Sequence, residues 1–285
     1  MNYHNKRLFA FGCSYTEYSH ITCADLIGVN FGEYYNFGRS GCDNTFIANR
    51  LVEAHNKFKF DPKSDFVLVG TTGFSRFSYW YDCNWITVGD MLPYNGENEQ
   101  VRWISENLYT RYHALYRSVL AIRTIKNLLT ALRIPHILYP ALDYVNYLID
   151  RDYENIEARG FTEIAIDECE KIEKLYDVQT SIDEFLIDKE RKNIEYKDSG
   201  HRDTHPSPIE HYEYMKKFMP QFDSIKTQQV AKQFSRTTYD SRKQLAEYMD
   251  KFRVAFRKDI YVEEAYFLRD YPLGQGPYYK HRDVL

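Results

Sequence analysis

The stretch Leu8-Phe9-Ala10-Phe11-Gly12-Cys13-Ser14-Tyr15-Thr16 sets the fold and offers the first reactive side chain. Leu8–Gly12 is apolar, too short for a stable helix and closed by glycine, so it predicts a buried strand that breaks into a turn. Downstream the pattern repeats. Ile21–Ile27 reads as a short helix, Tyr34–Phe37 as a second strand followed by the Gly38–Cys42 loop, and Asn44–Phe58 as a helix. Asp65–Gly70, with Phe66, Val67, Leu68 and Val69 in a row, is the strongest strand signal. A long helix is predicted over Glu106–Arg133, where Leu115, Val119, Ile122, Ile125, Leu129 and Leu132 share one face, and a strand over Pro135–Tyr139. Strands alternating with helices predict an α/β fold with a parallel sheet.

Between these elements the regularity lapses. Residues Thr71–Ile104 show no clear period and contain all three tryptophans, Trp80, Trp85 and Trp103, so they read as a long functional loop or lid. Residues 141–200 are polar and irregular, with a helix candidate at Glu163–Tyr176. Ser207-Pro208-Ile209-Glu210 is a capping box with proline at the first helical position, which predicts a helix over Pro208–Phe218 and places the preceding residues on a loop. Val230–Lys258 reads as one charged amphipathic helix, ahead of an aromatic end, Tyr271–Tyr279. The domain expectation is a body over 1–224 and a helical C-terminal extension over 225–285.

The candidate chemistry lies at strand ends, where open α/β sheets place their sites. Ser14 follows the first strand as Gly12-Cys13-Ser14, and the second strand leads into Asn36-Phe37-Gly38-Arg39-Ser40-Gly41-Cys42-Asp43-Asn44. The third ends in Gly70-Thr71-Thr72-Gly73, and Asp203-Thr204-His205-Pro206-Ser207 stands late in the chain. Blander roles exist for each: Ser14 as a turn cap, and Asp43 or Asn44 as a helix cap. His201, Asp203 and His205 alternate, a spacing that a metal site could use. His136 reads as a packed strand residue, while His55, His113 and His211 lie on helices, where solvated or capping roles are the default. Cys13 and Cys42 read as inert small residues, with a low-pKa thiol as the alternative.

In that order the blocks resemble the SGNH (GDSL-like) hydrolases, over about residues 7–222. The resemblance is greatest to a branch of small, often phage-encoded proteins with a Thr/Arg-type third block and a shortened last block. It implies a three-layer α/β/α sandwich of flavodoxin-like type. Ser14 would be the nucleophile, His205 the general base and Asp203 the residue that orients it. Backbone N–H groups of Ser14 and Gly41 would hold the oxyanion, helped by Asn44 or Thr72. Thr72 stands where the family usually has an asparagine, a departure that could recruit Asn44 or Arg76 in its place. Asp203-x-His205 is one residue shorter than the usual Asp-x-x-His. The implied reaction is removal of an O-acyl group, such as acetyl from a carbohydrate, without a cofactor or metal. Arg76, Trp80 and Trp85 are the expected substrate contacts. Two rivals stay open: an acyltransferase of the same fold, and a non-catalytic binding module with a degenerate site.

Composition bounds the rest. The 285 residues are 44% hydrophobic and 27% charged, which excludes wholesale disorder. No apolar run reaches the ~18 residues of a membrane span, and the start shows no signal peptide, so a cytoplasmic location is expected. The five cysteines form no CxxC pairs, which argues against a disulfide framework or a structural zinc site. The net charge of −4 is uneven, with twelve Lys/Arg against eight Asp/Glu from Ile225 onward. That density is too low for a nucleic-acid stripe, and it suits docking of the tail on its own body or on a second copy, a homodimer. The 26 Tyr and 18 Phe suit recognition surfaces or reflect compositional bias.

Overall fold

The computed structural model describes residues 3–81, 84–91, 98–142, 167–168, 170–187, 189, 191 and 193–256. Four parallel strands form the main sheet: β1 (Arg7–Phe11), β2 (Glu33–Asn36), β3 (Asp65–Thr71) and β6 (His136–Pro140), in the order β2-β1-β3-β6. The two central strands carry the longest apolar runs. Leu8 to Phe11 and the whole of β3 are buried, as strands covered on both faces must be. Their register starts from a charged clamp, in which Arg7 donates from Nε and Nη2 to the two oxygens of Asp65 at 2.7 and 2.8 Å. Around the sheet, α2 (Asn44–Phe58) packs on α4 (Arg111–Ala131). A second group unites α1 (Cys23–Gly28), α5 (Ile182–Leu186), α6 (Pro208–Phe218) and α7 (Ile225–Gln233). The architecture is therefore mixed α/β on a parallel sheet.

Several boundaries match the sequence pattern for identifiable reasons. Helix α2 begins where Asp43 accepts from the N–H of Phe46, and α6 begins at the Ser207/Glu210 capping box. Other expectations need correction. The stretch Thr71–Ile104 is not an irregular loop: β4 (Arg76–Tyr81) pairs antiparallel with β5 (Asn84–Asp90), and α3 (Glu99–Asn107) follows. The predicted helix Glu106–Arg133 is two helices, because Thr110 caps α4 by accepting from His113 N–H at 3.1 Å. The predicted helix Val230–Lys258 is also broken, into α7, the short strand β9 (Thr238–Tyr239) and α8 (Arg242–Phe256). Of the helix candidate Glu163–Tyr176, positions 163–166 and 169 lie outside the described residues, as does all of Tyr271–Tyr279, while 170–173 are helical.

The described part of the C-terminal segment, 225–256, is joined to the body. Strand β9 runs parallel to β7 (Ile194–Tyr196), whose other edge pairs antiparallel with β8 (Arg202–Asp203). Thr227 is fully buried, donating to the Phe222 carbonyl at 2.9 Å and accepting from Asn30 at 2.9 Å. One strand of the small sheet, β8, carries Asp203. Among the described residues, no helix is long and apolar enough to cross a membrane.

Candidate active site

The chain leaves β1 through Gly12, where no side chain fits: a Cβ there would collide with Thr16 Oγ1 and lie 2.8 Å from the Gly70 carbonyl. A tight turn follows, in which the N–H groups of Thr16 and Glu17 both donate to the Cys13 carbonyl, at 2.9 and 3.0 Å. Ser14 is the second residue of that turn. The loop after β2 is fastened to the same place, because Arg39 N–H and the Cys42 thiol both reach the Gly12 carbonyl, at 2.9 and 3.4 Å. Gly41 in this loop has φ +75°, a conformation that favours glycine, and its carbonyl accepts from Gly89 N–H of β5 at 3.1 Å. The end of β3 abuts Gly12 through Gly70. Three strand ends thus meet around Ser14, at the carboxyl edge of the sheet.

Asn44 is engaged with the end of β3. Its Oδ1 accepts from Thr72 N–H at 2.9 Å and its Nδ2 donates to the Thr72 carbonyl at 2.8 Å, so the amide clamps the backbone after β3. The Thr72 hydroxyl, in contrast, is buried with no hydrogen-bond partner among the described residues. Arg76, the first residue of β4, is partly buried, and its Nε and Nη1 are also shut off from solvent without a partner among the described residues. Trp85 packs edge-on against Phe46 of α2, with ring centroids 5.5 Å apart. Trp80 lies edge-on to Trp85 and is 45% exposed.

The best-defined part of the site is the Asp203–His205 pair. Asp203 Oδ1 accepts from His205 Nδ1 at 2.8 Å and from the His205 backbone N–H at 3.0 Å. The short spacing is what allows both bonds, since the turn folds the imidazole back onto the same oxygen. The second oxygen, Oδ2, accepts from the Tyr18 hydroxyl at 2.7 Å. The Tyr18 ring also stacks on the imidazole, with centroids 3.9 Å apart and planes 26° from parallel. Burial works against the Asp203 charge, but the bonds from His205 and Tyr18 outweigh it and hold the carboxyl well below its usual range. Asp203 is therefore an anion at neutral pH. Burial, the negative Asp203 and their hydrogen bond together push the Tyr18 hydroxyl up, so Tyr18 remains a donor.

Tyr15 supplies the other wall. Its ring lies 5.8 Å from that of His205, and its hydroxyl donates to Asp183 at 2.7 Å. Tyr15 and Tyr18 belong to the Ser14 turn, so that turn and the His205 loop are packed together through its own neighbours. The Ser14 hydroxyl itself is buried, shut off from solvent and without a partner among the described residues, so no hydrogen bond joins it to His205.

Behind His205 lie two histidines with rings 6.2 Å apart, His20 and His211. His211 is buried, contrary to the solvated or capping role that its helix suggested. Burial drives both rings to the neutral form, His20 down to about 4 and His211 well below its ordinary value. His201 is exposed, its ring parallel to that of Tyr196 at 6.1 Å. Among the described residues, no three His, Cys, Asp or Glu side chains are grouped to hold a metal ion. Cys13 and Cys42 are buried free thiols, and burial pushes the Cys42 thiol well above its ordinary range.

Sequence reasoning missed Tyr18 and His20, and gave His211 a solvated or capping role. Tyr18 stands four residues after Ser14, but nothing in a single sequence pairs it with a carboxylate 185 positions away. No protein-family model matches this chain, and no curated protein matches it in sequence.

Proposed function

We propose that the chain is a serine esterase of SGNH type that removes an O-acyl group through an acyl-enzyme on Ser14. The observation that carries this reading is the Asp203–His205 bond of 2.8 Å, packed against the very turn that presents Ser14. With Asp203 ionised, Nδ1 carries the imidazole proton and Nε2 is left as the base. The meeting of the Ser14, Gly41 and Thr72 segments at one sheet edge supports the rest. The two helix groups would be the outer layers of an α/β/α sandwich.

In the proposed reaction Ser14 Oγ attacks the ester carbonyl while His205 Nε2 takes its proton. Negative charge collects on the carbonyl oxygen, where the backbone N–H groups of Ser14 and Gly41 and the Thr72 hydroxyl donate to it. Collapse releases the alcohol, protonated by His205, and water then cleaves the acyl-enzyme by the same steps. Asn44, clamped on the Thr72 backbone, positions that donor segment. Acyl transfer to an alcohol acceptor would use the same groups. A binding module is the second reading, favoured by the sealed and unbonded Ser14 hydroxyl.

Hydrolysis of 4-nitrophenyl acetate by the parent chain, Ser14→Ala and His205→Gln tests the proposal. Each substitution should lower turnover by at least about 100-fold, the lower bound for losing a positioned base. Turnover equal in all three, or absent from a folded parent across short acyl chains, would move the weight to the binding module.

A further inference from the structure

Ser14, Thr72 and Arg76 come from the ends of β1 and β3 and from the start of β4. Each carries polar atoms that are sealed from solvent and make no hydrogen bond with the described residues: two hydroxyls, and Nε and Nη1 of the guanidinium. Native proteins leave very few such groups, and each calls for an explanation. The arginine is the most demanding, because two donors of a cation are buried and unbonded there. Arg76 makes no ion pair with the described residues. Asp90, its cross-strand neighbour on β5, acts on it only through space, and accepts instead from the Ser75 hydroxyl at 2.6 Å. Cys42, in the electrostatic field of Arg76, is kept neutral by burial. The guanidinium also feels Cys13 and Tyr15, the residues on either side of Ser14.

We propose that the Arg76 guanidinium forms an anion site that takes a carboxylate of the ligand, leaving the Ser14 and Thr72 hydroxyls to the ester carbonyl. On the esterase reading the substrate is then an ester carrying an acid group, and that assignment rests on the reading; the anion site itself does not. A planar guanidinium suits a carboxylate better than a spherical ion, since it can donate two parallel bonds. An apolar ester would leave the arginine unpaired, so the site discriminates against it.

The first test needs no turnover. Succinate and its neutral analogue succinamide are titrated calorimetrically into the parent, Arg76→Gln and Arg76→Lys. Binding of succinate alone, weakened about tenfold or more in Arg76→Gln, is expected, the loss of one charge-assisted hydrogen bond being of that size. Arg76→Lys, which keeps the charge but not the fork, should bind less tightly than the parent, and it decides the matter if the glutamine variant fails to fold. No succinate binding by the folded parent, or equal affinity in the variants, overturns the site. The second test compares mono-4-nitrophenyl succinate with 4-nitrophenyl butyrate, in which a methyl replaces the carboxylate. A kcat/KM ratio favouring the succinate in the parent, and collapsing in Arg76→Gln, supports the acid-ester assignment. An equal ratio removes it. Succinate binding without turnover of either ester upholds the anion site and counts against the esterase reading alone.

Discussion

Replacing Tyr18 by phenylalanine removes one oxygen and tests how the Asp203–His205 pair is held. The hydroxyl donates to Asp203 Oδ2 at 2.7 Å, and Asp203 is only 7% exposed. Both other bonds to the carboxylate fall on Oδ1, so the substitution leaves Oδ2 without a donor among the described residues. Hydrogen bonds to charged groups contribute about 1.5–3 kcal/mol, which equals about one to two pKa units on the Asp203 carboxyl. Its pKa should rise by that amount and remain acidic, because the His205 bonds persist. The phenyl ring still stacks on the imidazole, so the variant isolates the hydrogen bond from the packing. Denaturant unfolding at pH 7 should show a loss of about 1.5–3 kcal/mol with an unchanged m-value. The acid limb of the rate of Ser14 modification by a fluorophosphonate should move to higher pH. Tyr18→Leu should cost more in rate, having lost the stack as well. A Tyr18→Phe variant with parental stability and an unmoved acid limb would show that Tyr18 does not position Asp203.

Two further outcomes follow from the surroundings of the site. His20 falls from 6.5 to about 4 on burial, so between those pH values the unfolded chain binds more protons and stability declines as pH drops. The full loss is about 3 kcal/mol, with His211 adding in the same direction, whereas the Asp203 contribution is lost only below about pH 4. Unfolding measured from pH 7 to 4 should show this slope, and His20→Asn should flatten it; an identical slope in the variant would refute the assignment. A chain ended at Ser224 loses β9 and the buried Val230, Phe234, Tyr239, Leu245, Met249 and Phe252. It should be destabilised and should lose Ser14 reactivity, since β9 flanks the strand that pairs with the Asp203 strand; full reactivity in the truncated chain would contradict that role.

The main sheet was legible because its strands are continuous apolar runs, and its loops because glycine and capping residues punctuate them. Helix α2 and helix α6 could be bounded from Asp43 and from the Ser207/Glu210 box, where the cap is local in sequence. The β4–β5 hairpin was not legible. Its strands, RFSYWY and NWITVGD, mix aromatic and polar residues and owe their order to docking on Asp43 and Gly41, as in the Ser78 N–H bond to Asp43 at 3.1 Å. The breaks at 108–110 and 234–241 depend on single caps and on pairing with β7, which a helical period hides. At the site, the Ser14, Gly41, Thr72 and Asp203/His205 segments stood out because short motifs mark them. The tyrosine that orders the carboxylate, and the engagement of Asn44 with the Thr72 backbone, are contacts between distant parts of the chain.

The central claim is that Ser14 is an activated nucleophile served by His205. Intact-mass analysis after treatment with a fluorophosphonate, on the parent, Ser14→Ala and His205→Gln, tests it most directly. One adduct on the parent, none on Ser14→Ala and much slower labelling of His205→Gln is the predicted result. A well-folded parent that takes no adduct, or an adduct that persists in Ser14→Ala, would contradict the account.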